Sequence, residues 1–134
     1  GSGLLDTARL SRKNVRYSLA SDIGAGTSFS MLKTMSAAYQ VSQLIGSPLS
    51  PLRCFYLATL GNARSIGLEH KIGSFRKGND ADFIALNLHG SELMKLKQKQ
   101  CSSLSEKLFS LIILGDDRNV SATYLQGKLM HEIK

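Results

Sequence analysis

The amino-acid sequence predicts an α/β fold, and three observations carry this prediction. Residues 15–20 alternate in side-chain character as a strand does, the apolar residues after position 28 recur at helical spacing, and residues 82–88 form a second, more apolar strand. The chain has 134 residues, which is enough for one hydrophobic core and too few for two. Its 43% hydrophobic and 20% charged residues are typical of globular proteins and exclude collagen, coiled coils and wholesale disorder.

The first half of the chain is predicted to contain a strand, a tight loop and a long helix. The strand over residues 15–20 is followed by a loop, in which the two glycines of residues 23–28 indicate a tight turn. A helix over residues 28–45 comes next, because Thr27 or Ser28 can cap its start. The face of this helix that is predicted to be buried contains Leu32, Met35, Tyr39 and Ser42.

Two shorter helices are predicted to follow the long one. Ser50 caps the first of them, with Pro51 at the first helical position, and Gly61 ends it. Asn62 can cap a third helix, which Gly67 closes. The inward face of the helix after Ser50 is predicted to consist of Leu52, Phe55, Tyr56 and Thr59.

The second half of the chain is predicted to be mainly β structure. Residues 72–78 predict short β segments, and residues 82–88 form the best strand of the sequence. Residues 89–102 are polar and rich in lysine and glutamine, which predicts an exposed excursion. The end of the chain, residues 120–125 and 128–131 joined by a Gln-Gly turn, predicts a hairpin.

One further helix is predicted between these β segments. Ser103 and Glu106 have the spacing of a capping box, in which each side chain satisfies the other residue's free backbone N–H. Gly115 ends the helix. The apolar residues that recur at helical spacing along it are Leu104, Leu108, Leu111 and Ile112.

The net charge of +7, from 17 basic and 10 acidic residues, does not by itself identify a partner. The basic residues at positions 9–16 and 95–99 are not interleaved with aromatic side chains, so we predict solvated faces and no nucleic-acid partner. No membrane segment is predicted, because the longest apolar runs, such as residues 111–114, are far below the roughly 20 residues that a span needs. Cys54 and Cys101 predict no disulfide framework, and the expected location is the reducing cytoplasm.

Asp22 is the residue at which the sequence points to chemistry. It lies at the carboxyl end of the predicted strand, before a glycine-rich loop and a helix, where (β/α)8 barrels place catalytic residues. A carboxylate at that position can ligate a metal ion or transfer protons. It can also cap the following turn through its own side chain, and the spacing alone favours this second interpretation.

The other candidate residues are predicted to be structural. Asp80 and Asp82 are explained by turn chemistry, and Cys54 is predicted to be buried and inert. A local ion pair or turn is expected of Asp116, Asp117 and Arg118. The histidines lack metal-binding spacing and are expected at the surface: His70, His89 and His131. The residues predicted to pack in the core after the loop are Phe29, Met31 and Met35.

Four stretches of the sequence resemble the guanine deaminase family. They are residues 21–32 (SDIGAGTSFSML), residues 55–64 (FYLATLGNAR), residues 72–83 (IGSFRKGNDADF), and residues 114–120 with 124–128. The third stretch is shared by many amidohydrolases, whereas the first and the last are more specific to guanine deaminases. Together the four stretches spread the resemblance over essentially the whole chain.

The resemblance implies a C-terminal piece of a metal-dependent (β/α)8 amidohydrolase barrel with part of a flanking β-sandwich domain. On this basis residues 1–68 are expected to be the last strand and the helices of the barrel. Residues 69–134 are expected to be the C-terminal part of the flanking β domain, with one helix over about residues 103–115. The family holds one zinc ion with an H-x-H pair, two further histidines and an aspartate, and Asp22 matches that aspartate.

The chemistry that the resemblance implies is the hydrolysis of guanine to xanthine and ammonia. In the family, zinc lowers the pKa of a bound water, and the resulting hydroxide attacks the amino-bearing carbon of guanine. Asp22 is then expected to be both the metal ligand and the catalytic group, accepting the proton and passing it to the leaving ammonia. Because the other ligands of the family have no counterpart here, this chain alone is expected to be inactive and without zinc.

A separated piece of a barrel is also expected to associate with itself. The unpaired strand and the amphipathic helix would expose apolar surface, so we expect a homo-oligomer. Two alternatives stay open at this point. The chain can be a fragment of another amidohydrolase, such as a cytosine deaminase, an adenosine-type deaminase or a chlorohydrolase, or it can be a basic, non-catalytic binding module.

Overall fold

Six α-helices and a small antiparallel sheet make up the computed structural model, within the residues that it describes, 3–133. This content confirms the predicted α/β class. The elements in chain order are α1 (Thr7–Arg12), α2 (Met31–Leu44), α3 (Pro51–Ala58), α4 (Leu60–Ser65), β1 (Phe83–Leu86), α5 (Glu92–Lys99), α6 (Leu104–Leu114), a 3₁₀ turn (Asp117–Asn119), β2 (Val120–Leu125) and β3 (Lys128–Glu132).

The hydrophobic core lies where α2, α3, α5 and α6 pack against one another. Each of these helices contributes side chains that solvent barely reaches, and burying one such side chain stabilises the fold by roughly 1.5–3 kcal/mol. The edge of Tyr39 on α2 meets the ring of Phe109 on α6, with centroids 5.0 Å apart. The buried members of the core are Leu32, Met35, Leu49, Cys54, Leu57, Met94, Leu111 and Ile112.

The three strands form one antiparallel sheet in the order β1-β2-β3. The predicted hairpin is confirmed, since β2 and β3 are joined by Gln126 and Gly127, which have φ values of +50° and +76°. Positive φ at both central residues is the geometry that matches the twist of paired strands. The ring of Phe83 on β1 stacks on that of its β2 partner Tyr124, with centroids 4.4 Å apart.

Two of the predicted helix starts are confirmed in detail. The hydroxyl of Ser50 accepts a hydrogen bond from the backbone N–H of Arg53 at 3.2 Å, and Pro51 occupies the first turn of α3. On α6, Ser103 accepts from the N–H of Glu106 at 3.2 Å, and the Glu106 carboxylate accepts in return from the N–H of Ser103 at 3.4 Å. Local capping chemistry therefore sets these boundaries, as expected from sequence.

The strand predicted over residues 15–20 is not formed. These residues belong to no sheet in the described chain, and their backbone amides bond at two places only, Val15 N–H to the Leu10 carbonyl and Leu19 N–H to the Leu57 carbonyl. A strand is defined by its ladder of partners, and no other strand of residues 3–133 lies alongside this one. The alternation of side chains along residues 15–20 is compatible with a strand, but it does not provide the second strand with which these residues would have to pair.

The exposed excursion predicted over residues 89–102 is also wrong, because most of it forms α5. Ser91 caps this helix by accepting a hydrogen bond from the N–H of Met94 at 3.3 Å. Met94 and Gln98, one turn apart, are buried against α6, and the Gln98 amide donates to the Lys107 carbonyl at 3.4 Å. The outward lysines dominate the composition and conceal this buried pair from sequence reasoning.

Smaller departures concern the faces and ends of helices. The helix predicted over 28–45 begins at Met31, because the Ser28 hydroxyl accepts from the N–H of Ser30, which occupies the cap position. On α3 the buried side chains are Cys54 and Leu57, one helix position away from the predicted face. Phe29, which was expected in the core, is 80% exposed.

Two further local predictions differ from the structure. The short β segments expected over 72–78 are turns and bends, in which Gly73 and Gly78 have φ values of +86° and +95°. The third helix begins at Leu60, after Thr59, so that Asn62 lies inside it rather than at its cap. The Asn62 amide instead donates to the Leu19 carbonyl at 3.1 Å and ties α4 to the extended segment.

Candidate functional site

Asp22 lies in an exposed turn between the segment 15–20 and α2. Its φ of +49° is in the left-handed region, where aspartate is one of the few residues other than glycine found with any frequency. The Asp22 carbonyl accepts hydrogen bonds from the N–H groups of Ala25 at 3.0 Å and Gly26 at 2.6 Å. Backbone groups therefore close the turn.

The Asp22 carboxylate takes no part in closing this turn. Among residues 3–133 it accepts no hydrogen bond and forms no ion pair, and the residue is exposed. The interpretation of Asp22 as a side-chain cap of its own turn is therefore wrong. The carboxylate is left available to bind a cation or to accept a proton.

Gly26 is required by the shape of the turn. A Cβ at this position would lie 1.8 Å from the Ser21 carbonyl oxygen, far inside van der Waals contact, so any other residue would force the backbone to move. Gly24 has a φ of +106° and open space around it, so its requirement is conformational rather than steric. The two glycines thus fix the backbone that presents Asp22.

A groove of about 400 Å³ lies beside the Asp22 turn. The residues that line it include the exposed apolar side chains of Ile23 and Phe29. They also include charged side chains of both signs: Lys33, Asp116 and Asp117. Asp22 itself does not line this groove. The groove therefore adjoins the turn without containing the carboxylate.

Asp116 is held in the ion pair that the sequence predicted. The guanidinium of Arg118 donates from Nε to Oδ1 at 3.0 Å and from Nη2 to Oδ2 at 2.7 Å, a two-pronged geometry. This hydrogen-bonded pairing holds the pKa of Asp116 below its usual range. Asp116 is therefore a structural carboxylate at the groove edge, already neutralised by its own neighbour.

The remaining predicted residues have structural roles or lie apart. The Asp82 carboxylate accepts from the N–H of Gln126 at 2.8 Å, a structural role that ties the start of β1 to the distant β2–β3 turn instead of the local turn predicted. Cys54 is buried, as predicted, and burial raises the pKa of its thiol, which disfavours the reactive thiolate. Within residues 3–133 no three His, Cys, Asp or Glu side chains come together as a metal site.

Within residues 3–133 the turn thus presents one carboxylate without a hydrogen-bond or ion-pair partner, and this carboxylate belongs to no group of three or more metal-binding side chains. The three histidines are exposed, as the sequence predicts, and none belongs to such a group in the described part of the chain. No helix in the described part of the chain is both long enough and apolar enough to cross a bilayer. By itself the turn can donate one ligand to a cation or hold one proton.

Comparison with known proteins identifies the family. The sequence model of the amidohydrolase family matches residues 1–130. The chain belongs to the amidohydrolase family. This amidohydrolase chain is 45% identical to the guanine deaminase of Escherichia coli (strain K12) over 132 residues, which are 98% of this chain and 30% of that protein. The predicted resemblance to guanine deaminases is confirmed.

Solved structures agree with the sequence comparison. E. coli guanine deaminase matches the amidohydrolase chain with a TM-score of 0.96 at 44% identity, covering 100% of this chain and 32% of that one. Guanine deaminase from C. acetobutylicum, with guanine bound in its active site, matches with a TM-score of 0.77 at 30% identity, covering 98% and 31%. The chain spans about a third of the length of these relatives.

Proposed function

We propose that this chain is the C-terminal part of a zinc-dependent, cytoplasmic guanine deaminase. The proposed reaction is the hydrolysis of guanine by water to xanthine and ammonia. The observation that carries the proposal is the match of the whole chain to E. coli guanine deaminase, at a TM-score of 0.96, with 45% identity over 132 residues. The segment that contains Asp22 lies within that match, which covers 100% of the chain.

The proposal assigns the barrel pieces as the resemblance suggested. Residues 15–20 would be the last strand of a (β/α)8 barrel, residues 1–68 the barrel part and residues 69–134 part of the flanking β domain. In support, residues 15–20 run without a sheet partner and leave Val15 exposed. Flanking strands would pair the backbone groups that this segment leaves free.

Asp22 is proposed as the catalytic group of this chain and as a metal ligand. Its carboxylate is exposed, takes no hydrogen bond from residues 3–133 and lies on a turn fixed by Gly26. Such a group can take the proton from the attacking water and return it to the departing amine, so that neutral ammonia leaves.

The described residues do not by themselves fit a zinc site. Catalytic zinc takes about three protein ligands, and within residues 3–133 no three His, Cys, Asp or Glu side chains come together to hold a metal ion. On this proposal the histidine ligands and the groups that contact guanine belong to residues outside this chain. The 134-residue chain alone should therefore hold no zinc and release no xanthine.

The experiment that tests the proposal uses the complete open reading frame that contains this chain. We expect an H-x-H pair upstream of Gly1, bound zinc in the purified protein, and xanthine and ammonia formed from guanine. An upstream frame without H-x-H would refute the proposal. A panel of guanine, adenosine, cytosine and a chlorinated triazine then separates guanine deaminase from the other amidohydrolases.

The role of Asp22 is tested by substitution in the same protein. Asp22→Asn removes the proton acceptor and should lower kcat by roughly 10²- to 10⁴-fold, the contribution typical of general acid–base catalysis. Asp6→Asn is the matched control, because Asp6 caps α1 and asparagine caps equally well. Unchanged kcat in Asp22→Asn, or an equal loss in Asp6→Asn, contradicts the assigned role.

A further inference from the structure

A second groove lies away from the Asp22 turn and has a different chemical character. It has a volume of about 280 Å³ and is bordered by the end of α1, the following segment and the faces of α3 and α4. Among residues 3–133 no carboxylate lines it. Its polar side chains all carry a hydrogen-bond donor: Ser11, Asn14, Arg16, Tyr17, Arg53 and Tyr56.

Two guanidinium groups, those of Arg53 and Arg64, lie at Tyr56, and a third, that of Arg16, is bonded to the backbone of Arg64. The guanidinium carbon of Arg53 lies 4.9 Å from the centroid of the Tyr56 ring, and that of Arg64 lies 5.9 Å from it. Arg64 also donates from Nη1 to the Tyr56 hydroxyl at 3.0 Å, and Arg16 donates from Nη1 to the Arg64 carbonyl at 3.0 Å. Stacking and hydrogen bonding therefore orient these cations before any ligand is present.

These three arginines have no anionic partner in the described part of the chain. The ion pairs found within residues 3–133 join Glu92 to Lys95 and Asp116 to Arg118, which lie elsewhere. Arg16 and Arg53 line the same groove without a counter-charge, and an anion bound there would offset the repulsion between them.

We propose that this groove binds a phosphate group, either as inorganic phosphate or as a phosphate monoester. Arginine presents planar pairs of donors that match phosphate oxygens, and Arg16 and Arg53 both line the groove. A phosphate dianion neutralises two of these charges, whereas a carboxylate neutralises one. The site is separate from Asp22 and does not depend on guanine deamination.

The test is a phosphate titration of the 134-residue chain followed by NMR at constant ionic strength, with sodium chloride as the balancing salt. We expect saturable shifts of the Nε–Hε signals of Arg16 and Arg53. Arg53→Gln should weaken phosphate binding by roughly tenfold or more, as the loss of a charged hydrogen bond predicts. Arg53→Lys keeps the charge and loses the planar donors, so its affinity for phosphate should lie between those of Arg53→Gln and the unchanged chain. Arg76→Gln, an exposed arginine outside the groove, is the matched control and should bind as the unchanged chain does.

Several results would overturn the assignment. Shifts that stay linear and equal those produced by chloride alone would show screening without a site. If Arg76→Gln weakened phosphate binding as much as Arg53→Gln, the effect would be one of general charge. If acetate bound as tightly as phosphate, the groove would have no preference for phosphate. Glycerol phosphate that binds more tightly than inorganic phosphate identifies a monoester ligand, and equal binding identifies the phosphate group alone. Circular dichroism checks folding, and Arg16→Gln replaces Arg53→Gln if that variant unfolds.

Discussion

The helical core and the turn that carries Asp22 are held in different ways. In the core, side chains from four helices bury one another, and Leu57, Leu111 and Ile112 are almost inaccessible to solvent. In the turn, the hydrogen bonds run between residues a few positions apart, and Asp22 and Phe29 are exposed. Stability and candidate chemistry are thus placed in separate parts of this chain.

The comparison shows what each region requires from its surroundings. The core is assembled from contacts within residues 3–133 and should tolerate changes in the turn. The turn has a fixed backbone, through Gly26, yet its carboxylate and apolar side chains face no partner in the described residues. Under the proposed function, those partners come from the rest of the enzyme.

The largest expected effect tests whether the exposed apolar surface finds another copy of the chain. Leu44 at the end of α2 is 75% exposed, and Phe75 and Phe29 are more exposed still. Because apolar surface of this extent favours association, the mass by light scattering should reach at least twice 14.6 kDa as concentration rises. The homo-oligomer remains a prediction until that measurement is made.

Matched substitutions on α2 sharpen this test. Leu44→Lys removes an exposed apolar side chain and should shift the chain toward the monomer. Gln43→Lys, at the neighbouring exposed position, adds the same charge without removing apolar surface and should leave association nearly unchanged. A chain that stays monomeric at all concentrations, or variants that behave alike, would contradict the idea that these surfaces associate.

The next largest effect is on the free energy of unfolding, measured for substitutions of two leucines on one helix and of Asp22 in the turn. Leu111 is 1% exposed and Leu104 is 64% exposed, both on α6. Leu111→Ala should lower the free energy of unfolding by about 2–5 kcal/mol, since it leaves a cavity in the core. Leu104→Ala and Asp22→Asn should each change it by less than about 0.5 kcal/mol.

Urea denaturation followed by circular dichroism measures all three variants under the same conditions. The separation of core from turn predicts a large shift of the midpoint for Leu111→Ala alone. If Asp22→Asn lowered the midpoint as much as Leu111→Ala, the turn would be part of the stabilising structure. Stability and candidate chemistry would then not be placed in separate parts of the chain.

Local signals explain how much of the fold was predictable from sequence. Ser50-Pro51, the Ser103 and Glu106 pair and the Gln126-Gly127 turn each act over a few residues, and the structure uses all of them. The prediction of a strand over 15–20 is wrong because a strand forms only where a second segment pairs with it. Helix α5 was missed because two buried side chains are outnumbered by exposed lysines.

In the candidate site, too, local features are predictable from the sequence and contacts between distant residues are not. The sequence could place Asp22 before a glycine-rich turn, because that order is local. The use of the backbone instead of the carboxylate to close the turn appears only in the structure. Arg53 and Arg64 meet at Tyr56, and Arg16 bonds to the Arg64 carbonyl from 48 positions away. Of these contacts, only the spacing of Arg53 and Tyr56 on one helix is visible in the sequence.

The smallest effect concerns the capping box of α6 and its dependence on pH. The backbone N–H of Ser102 donates to the Glu106 carboxylate at 2.7 Å, and the Ser102 hydroxyl and the Ser103 N–H donate as well. These hydrogen bonds, that from the Ser102 backbone first, hold the pKa of Glu106 below its usual range in the folded chain. The folded chain therefore favours the ionised carboxylate.

The sign of the pH dependence follows from that lowered pKa. The stabilisation from Glu106 is present above the unfolded-state pKa of about 4.3 and is lost as the pH falls through the lower folded-state pKa. Glu106→Gln should therefore unfold at lower urea than the unchanged chain at neutral pH, and the difference should close in acid. NMR titration of the Glu106 carboxyl measures its pKa directly, and urea midpoints across pH measure the linkage. A difference that stays constant, or that grows as the pH falls, would show that the charge of Glu106 does not stabilise the helix start.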